Sequence, residues 1–151
     1  MKVIIKTLST GAKMPSKQTP GSIAYDVYTP CDYVVKPGRN ILPLDLAMEI
    51  EPGYEGKIEP RSGYSAKGME ADLNGYKVRA DADVIVGKID SDYRGNCGVI
   101  IKSNEHYEFI IPAGTRIAQL TFYRGETVDF MESDTLSETE RGSGGFGHTN
   151  K

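Results

Sequence analysis

The chain has 151 residues, of which 38% are hydrophobic and 26% charged, and its 21 acidic residues outnumber 18 basic ones for a net charge of −3. That length suits one domain able to bury a core, and without a basic excess no direct binding to nucleic acid is expected. No run approaches the roughly 18 apolar residues of a membrane-crossing helix, and Met1-Lys2-Val3-Ile4-Ile5-Lys6 lacks a signal peptide's apolar stretch, so a soluble, intracellular protein with no membrane role is expected.

In chain order, the stretches rich in β-branched and aromatic residues are Val3–Thr7, Tyr33–Val35, Ala47–Ile50, Val84–Val86, Val99–Ile101, Phe109–Ile111 and Ile117–Phe122. Proline and glycine, at Pro37-Gly38, Pro43, Pro52-Gly53, Gly56, Pro60, Gly95, Gly98 and Pro112-Ala113-Gly114, punctuate them as turns. No segment keeps a helical apolar period, apart from one predicted turn of helix near Tyr64–Gly68. The pattern predicts an all-β antiparallel sandwich or barrel. Asn74-Gly75, inside Ala71–Val78, predicts a type I′ hairpin. Cys31 and Cys97 read as two free thiols. From Ser133 onward apolar residues are scarce, and the glycine-rich tail cannot order itself by burial. Its one aromatic, Phe146, is useful if the tail closes over a flat ligand.

Five pieces carry candidate chemistry. Ala24-Tyr25-Asp26-Val27-Tyr28 sets a carboxylate in an alternating stretch, where an outward-facing residue is the plainer reading. Pro60-Arg61-Ser62-Gly63 offers a planar fork, a hydroxyl and an approachable backbone to phosphate, although an ordinary polar loop looks the same. Gly87-Lys88-Ile89-Asp90-Ser91-Asp92-Tyr93-Arg94-Gly95 holds a carboxylate and an aromatic at a strand end; alone, it reads more readily as a hairpin turn. Arg116-Ile117-Ala118-Gln119-Leu120 alternates as an amphipathic strand would. The tail Arg141-Gly142-Ser143-Gly144-Gly145-Phe146-Gly147-His148-Thr149 has the glycine spacing of a Walker A loop, but His148 replaces its lysine and no helix follows.

In this order and spacing, the five pieces resemble the five motifs of the trimeric dUTPase family. The resemblance implies a β jelly roll, residues 1–132 as a core with an inserted hairpin at about 69–80, and residues 133–151 as an arm. It implies a homotrimer with shared active sites, hydrolysis of dUTP to dUMP and pyrophosphate, and Mg2+ as cofactor. Asp90 would activate the water that attacks the α-phosphorus. Asp26 would reach the metal through water. Arg61, Ser62, Gly63 and Gln119 would hold the phosphates, and Arg141, Gly147, His148 and Thr149 would close on them. The main chain of the Gly87–Val99 hairpin, with Gly87 and Ile89, would read uracil, Tyr93 would exclude a 2′-hydroxyl, and Phe146 would stack on the base. The location implied is cytoplasm or nucleus, in a host cell if the protein is viral.

Lys88 departs from the aliphatic residue usual there; if it points into the site, it would lower the pKa of Asp90. His148 and Asn150 depart from the usual small residues of the arm. The inserted hairpin is expected as a surface feature that leaves the core intact, and as a surface for a regulatory protein partner. Two alternatives remain: a dCTP deaminase-like relative of the same fold, and a regulatory or binding protein on the same scaffold.

Overall fold

The computed structural model describes residues 1–145. Thirteen strands and one short helix follow in order: β1 (Val3–Thr7), β2 (Tyr25–Tyr28), β3 (Tyr33–Val35), β4 (Gly38–Pro43), β5 (Leu46–Ile50), β6 (Tyr54–Glu59), α1 (Ser62–Lys67), β7 (Met69–Leu73), β8 (Tyr76–Ala80), β9 (Ala82–Ile85), β10 (Gly87–Ile89), β11 (Gly98–Ser103), β12 (Phe109–Ile111) and β13 (Arg116–Arg124). They form four antiparallel sheets, ordered β1-β5, β10-β6-β13-β2, β4-β11-β9 and β3-β12-β7-β8. This is an all-β fold, as the strand spacing predicts, and jelly-roll-like, as the family resemblance implies. Val27, Val35, Leu44, Leu46, Ile101, Phe109, Ile111 and Ile117 sit fully buried at its centre.

The strands with apolar alternation lie where the composition places them. β4 and β6 do not announce themselves, because glycine or proline in them reads as a turn. Gly56 lies inside β6 with its Cα facing the core; a Cβ there would stand 3.3 Å from Ile50 Cδ1 and 3.4 Å from Ile89 Cβ. Glycine is therefore a packing choice at this position, not a turn signal.

Three local expectations are corrected. Val84–Val86 is not one strand: β9 ends at Ile85, and β10 begins at Gly87 in a different sheet. The Asp90 segment is accordingly a loop between sheets, not a hairpin turn, since β10 pairs with β6 while β11 pairs with β4 and β9. The inserted hairpin is also more than a surface feature. Its turn is as predicted, with φ of 53° at Asn74 and 85° at Gly75, and Asp72 Oδ1 accepts a bond from the Gly75 N–H at 2.7 Å. Its strands, however, join the sheet through the Ile110–Asp72 pairing. Met69, Ala71 and Ala80 are buried in the main core. Met69 and Ala71 alternate onto the inner face of β7, so burying them ties the hairpin to the core.

Candidate active site

Asp26 is the centre of the polar cluster. It lies on β2, with Val27 and Tyr25 turned to the opposite, apolar face. It is 2% exposed. A carboxylate so buried demands compensation. Arg61 Nε stands 3.3 Å from Asp26 Oδ1, and Arg116 Nη1 stands 3.5 Å from Oδ2. Oδ2 nonetheless accepts no hydrogen bond. The outward-facing reading of Asp26 is thus overturned.

Backbone register explains the gathering. β13 lies between β2 and β6, and Gln119 is paired with Asp26 on one side and Glu59 on the other. Directly paired residues project to the same face, so the three line up across it. The β13 register slips between Arg116 and Ala118. Such a bulge re-aims side chains: Ile117 is buried while Arg116 swings to Asp26. Thr29 pins the preceding loop, donating its hydroxyl to Pro112 O at 2.7 Å and accepting from the Thr115 N–H at 2.9 Å. Arg61 precedes α1 and donates Nη1–H to Arg116 O at 3.0 Å. Its guanidinium also lies 5.1 Å from the Tyr64 ring centre, and burial raises the pKa of that phenol. At Gly63 a Cβ would meet nothing within 4 Å, so its backbone borders open space. Arg61, Gly63, Lys67, Arg79 and Arg116 line one groove of about 390 Å³.

Asp90 belongs to a second cluster. It is exposed, follows buried Ile89, and opens a turn closed by the Tyr93 N–H to Asp90 O bond at 3.1 Å. The Ile89 side chain faces the core, leaving only its main chain for a ligand, and Gly87 is paired with Ile58. Tyr93 folds back over Gly95, where a Cβ would fall 2.3 Å from the phenol oxygen; that hydroxyl donates to Asn96 O at 3.2 Å. The loop returns to the core through paired bonds of Cys97 with Leu44 and Leu46. Lys88 does not turn toward Asp90. Its ammonium bonds to Glu55, which raises the pKa of Lys88 and lowers that of Glu55.

The two clusters are separated. Asp90 follows the Ile89–Gly56 pairing, while Asp26 is level with Glu59 and three strands across. At about 3.3 Å per residue and 4.8 Å per strand, the backbones at Asp90 and Asp26 are roughly 19 Å apart.

Arg141 lies in an exposed turn and donates Nε–H to Gly144 O at 2.8 Å. Phe146, Gly147, His148 and Thr149, expected to act in the arm, lie outside the described residues. Arg116 opens the fourth motif piece but has no role of its own in the sequence, although the Pro112-Ala113-Gly114 turn before it marks a loop end. Thr29, Lys67 and Arg79 carried no signal, because their roles come from long-range pairing.

Guanidinium groups gathered beside an open groove on an all-β fold are of the chemistry that suits a phosphorylated ligand. Comparison with known proteins makes this specific. Residues 10–150 match the family model described as dUTPase. The deoxyuridine 5′-triphosphate nucleotidohydrolases of Variola virus and of Vaccinia virus (strain Copenhagen) are each 40% identical over 139 residues, covering 91% of this chain and 86% of the relative. The Staphylococcus bacteriophage 80alpha dUTPase with dUPNHPP superposes with a TM-score of 0.81 at 26% identity, over 98% of both chains; it is described as controlling transfer of virulence genes. A dUTPase of the S. aureus phage phi11, described with a structural Mg(II) ion, shares the fold with a TM-score of 0.76 at 23% identity, over 90% of this chain and 99% of its own. The chain belongs to the dUTPase family.

Among the described residues, no helix is long and apolar enough to cross a membrane. None of them forms a cluster of three or more potential metal-ligating side chains.

Proposed function

We propose that Asp90 is the general base with which this chain hydrolyses dUTP to dUMP and pyrophosphate. The exposed carboxylate at the end of β10, with Tyr93 three residues on, supports this role. Asp90 takes a proton from water as the water oxygen bonds to the α-phosphorus; the bond to the β-phosphate bridging oxygen breaks, and pyrophosphate leaves. Arg61, Ser62 and Gly63 hold the phosphate chain, with Gln119 assisting. Tyr93 packs against the deoxyribose, and the main chain of the Asp90 loop reads uracil. Arg141, Phe146, Gly147, His148 and Thr149 act in the arm, residues 133–151, which closes over the core of residues 1–132.

The donor set fits Mg2+ held by the substrate phosphates and waters, not a cage of protein ligands. Asp26 lies behind the phosphate groove, paired with Arg61 and Arg116, and its Oδ2 accepts no hydrogen bond although Arg116 Nη1 stands 3.5 Å away. That atom would take a hydrogen bond from a metal-bound water. When bound, the metal neutralises phosphate charge.

The observation that carries the assembly is the separation of the clusters. A general base acts within about 3 Å of its proton, so Asp90 and the Arg61 cluster of one protomer cannot serve the same α-phosphate. Pairing Asp90 of one protomer with Arg61 of another, in a homotrimer, resolves this.

Pyrophosphate release from dUTP, dTTP, dCTP and UTP with magnesium tests the reading, with turnover of dUTP alone expected. Asp90→Asn should bind dUTP and lose at least about a hundredfold in kcat, the usual weight of general-base catalysis. Near-normal turnover would show that another group is the base. Mixed trimers of Asp90→Asn and Arg61→Ala protomers should recover activity that neither variant has. Ammonia released from dCTP would favour the deaminase alternative instead. The inserted hairpin is read as a surface for a regulatory protein, supported by Tyr76, exposed beside its tip.

A further inference from the structure

We infer that Arg79, with Lys67, forms an outer anion subsite that takes the terminal phosphate of the substrate and then the released pyrophosphate. The inference rests on the reading that Arg61 and Gly63 hold the phosphate chain.

Lys67 ends α1, and Arg79 lies on β8 of the inserted hairpin. Both line the groove that Arg61, Gly63 and Arg116 line. Four cations thus face one depression, and Glu70 is the acid among its lining residues. Asp26, behind the groove, offsets part of the charge of Arg61 and Arg116. Counting both acids, two positive charges remain uncompensated, in a chain whose net charge is −3. A concentration of cations against that background fits a ligand of concentrated negative charge.

Arg79 is positioned without being used up. Nη1–H donates to Gly68 O at 3.2 Å and Nη2–H to Glu70 Oε1 at 3.0 Å. A guanidinium has five donors, so three remain for a ligand. Gly68 has a φ of 79°, and a Cβ there would lie 2.8 Å from Ala80 O. This close glycine crossing brings the start of the hairpin against its end and sets Arg79 beside α1. The hairpin that departs from the family pattern therefore delivers a cation to the phosphate groove.

The test measures inhibition of dUTP hydrolysis by inorganic pyrophosphate and by dUMP. Arg79→Ala should weaken pyrophosphate inhibition and raise KM by about tenfold each, the weight of one charge-assisted bond, with dUMP inhibition unchanged. Arg79→Lys should recover most of the loss, and Glu70→Gln should strengthen pyrophosphate inhibition. Unchanged pyrophosphate inhibition in Arg79→Ala, while Arg61→Ala weakens it, would overturn the outer subsite and leave the phosphate reading standing. Equal weakening by Arg79→Ala and Glu70→Gln would overturn it too, assigning Arg79 to the ion pair alone. If Arg61→Ala leaves pyrophosphate inhibition intact, the underlying phosphate reading fails and this inference falls with it.

Discussion

Replacing Asp26 by Asn separates what the buried carboxylate does for the fold from what it does for the reaction. Asn keeps the shape and leaves an amide oxygen facing Arg61 Nε, which now stands 3.3 Å from Oδ1 as an ion pair. It loses the charge between two guanidinium groups, and its amide nitrogen would confront Arg116 Nη1, a donor against a donor. A hydrogen bond to a charged group contributes about 1.5–3 kcal/mol, against about 0.5–1.5 for a neutral one. Arg61 is about one-quarter exposed and Arg116 nearly half, so water recovers part of the loss. The expected destabilisation is about 2 kcal/mol, or roughly 4–8 °C in Tm for a chain of this size. Calorimetry without magnesium measures that contribution. The link to metal is read separately, as the magnesium concentration for half-maximal dUTP hydrolysis. If Oδ2 accepts from a metal-bound water, this concentration should rise about tenfold, the equivalent of about 1.4 kcal/mol. An unchanged Tm together with an unchanged magnesium requirement would refute both uses of the carboxylate.

Gly95→Ala should expel the Tyr93 ring from its place above the loop, since a Cβ would fall 2.3 Å from the phenol oxygen. Activity on UTP relative to dUTP should then rise, and unaltered discrimination would free Tyr93 from the sugar-selecting role. Met69→Ala should cost about 2–5 kcal/mol in urea unfolding, the usual cost for a buried long side chain; Met69 is 0% exposed, and a change within 0.5 kcal/mol would return the hairpin to the surface. Burial raises the pKa of the Cys97 thiol to about 11. At pH 8 it stays protonated and covered, so a thiol reagent should label exposed Cys31 and spare Cys97 until the protein unfolds. Two fast equivalents would contradict this.

The strand alternation, the Asn74-Gly75 turn and the five ordered motifs were legible along the chain, because each depends on neighbours a few residues apart. β6 was not, because its Gly56 serves contacts with Ile50, Ile89 and Leu120, all from other strands. The same holds for the hairpin: its turn is local, but its attachment to β12 and the burial of Met69 are not.

The sequence by itself determined the all-β class and which residue types could meet a phosphorylated nucleotide. Only the tertiary structure decided which of them meet. Antiparallel register sets Asp26, Gln119 and Glu59 side by side, and a bulge at Ile117 turns Arg116 to the same carboxylate. Pairing of β10 with the far edge of β6 keeps Asp90 away from them. Register and sheet order are properties of long-range pairing, which residue patterns read along the chain do not carry.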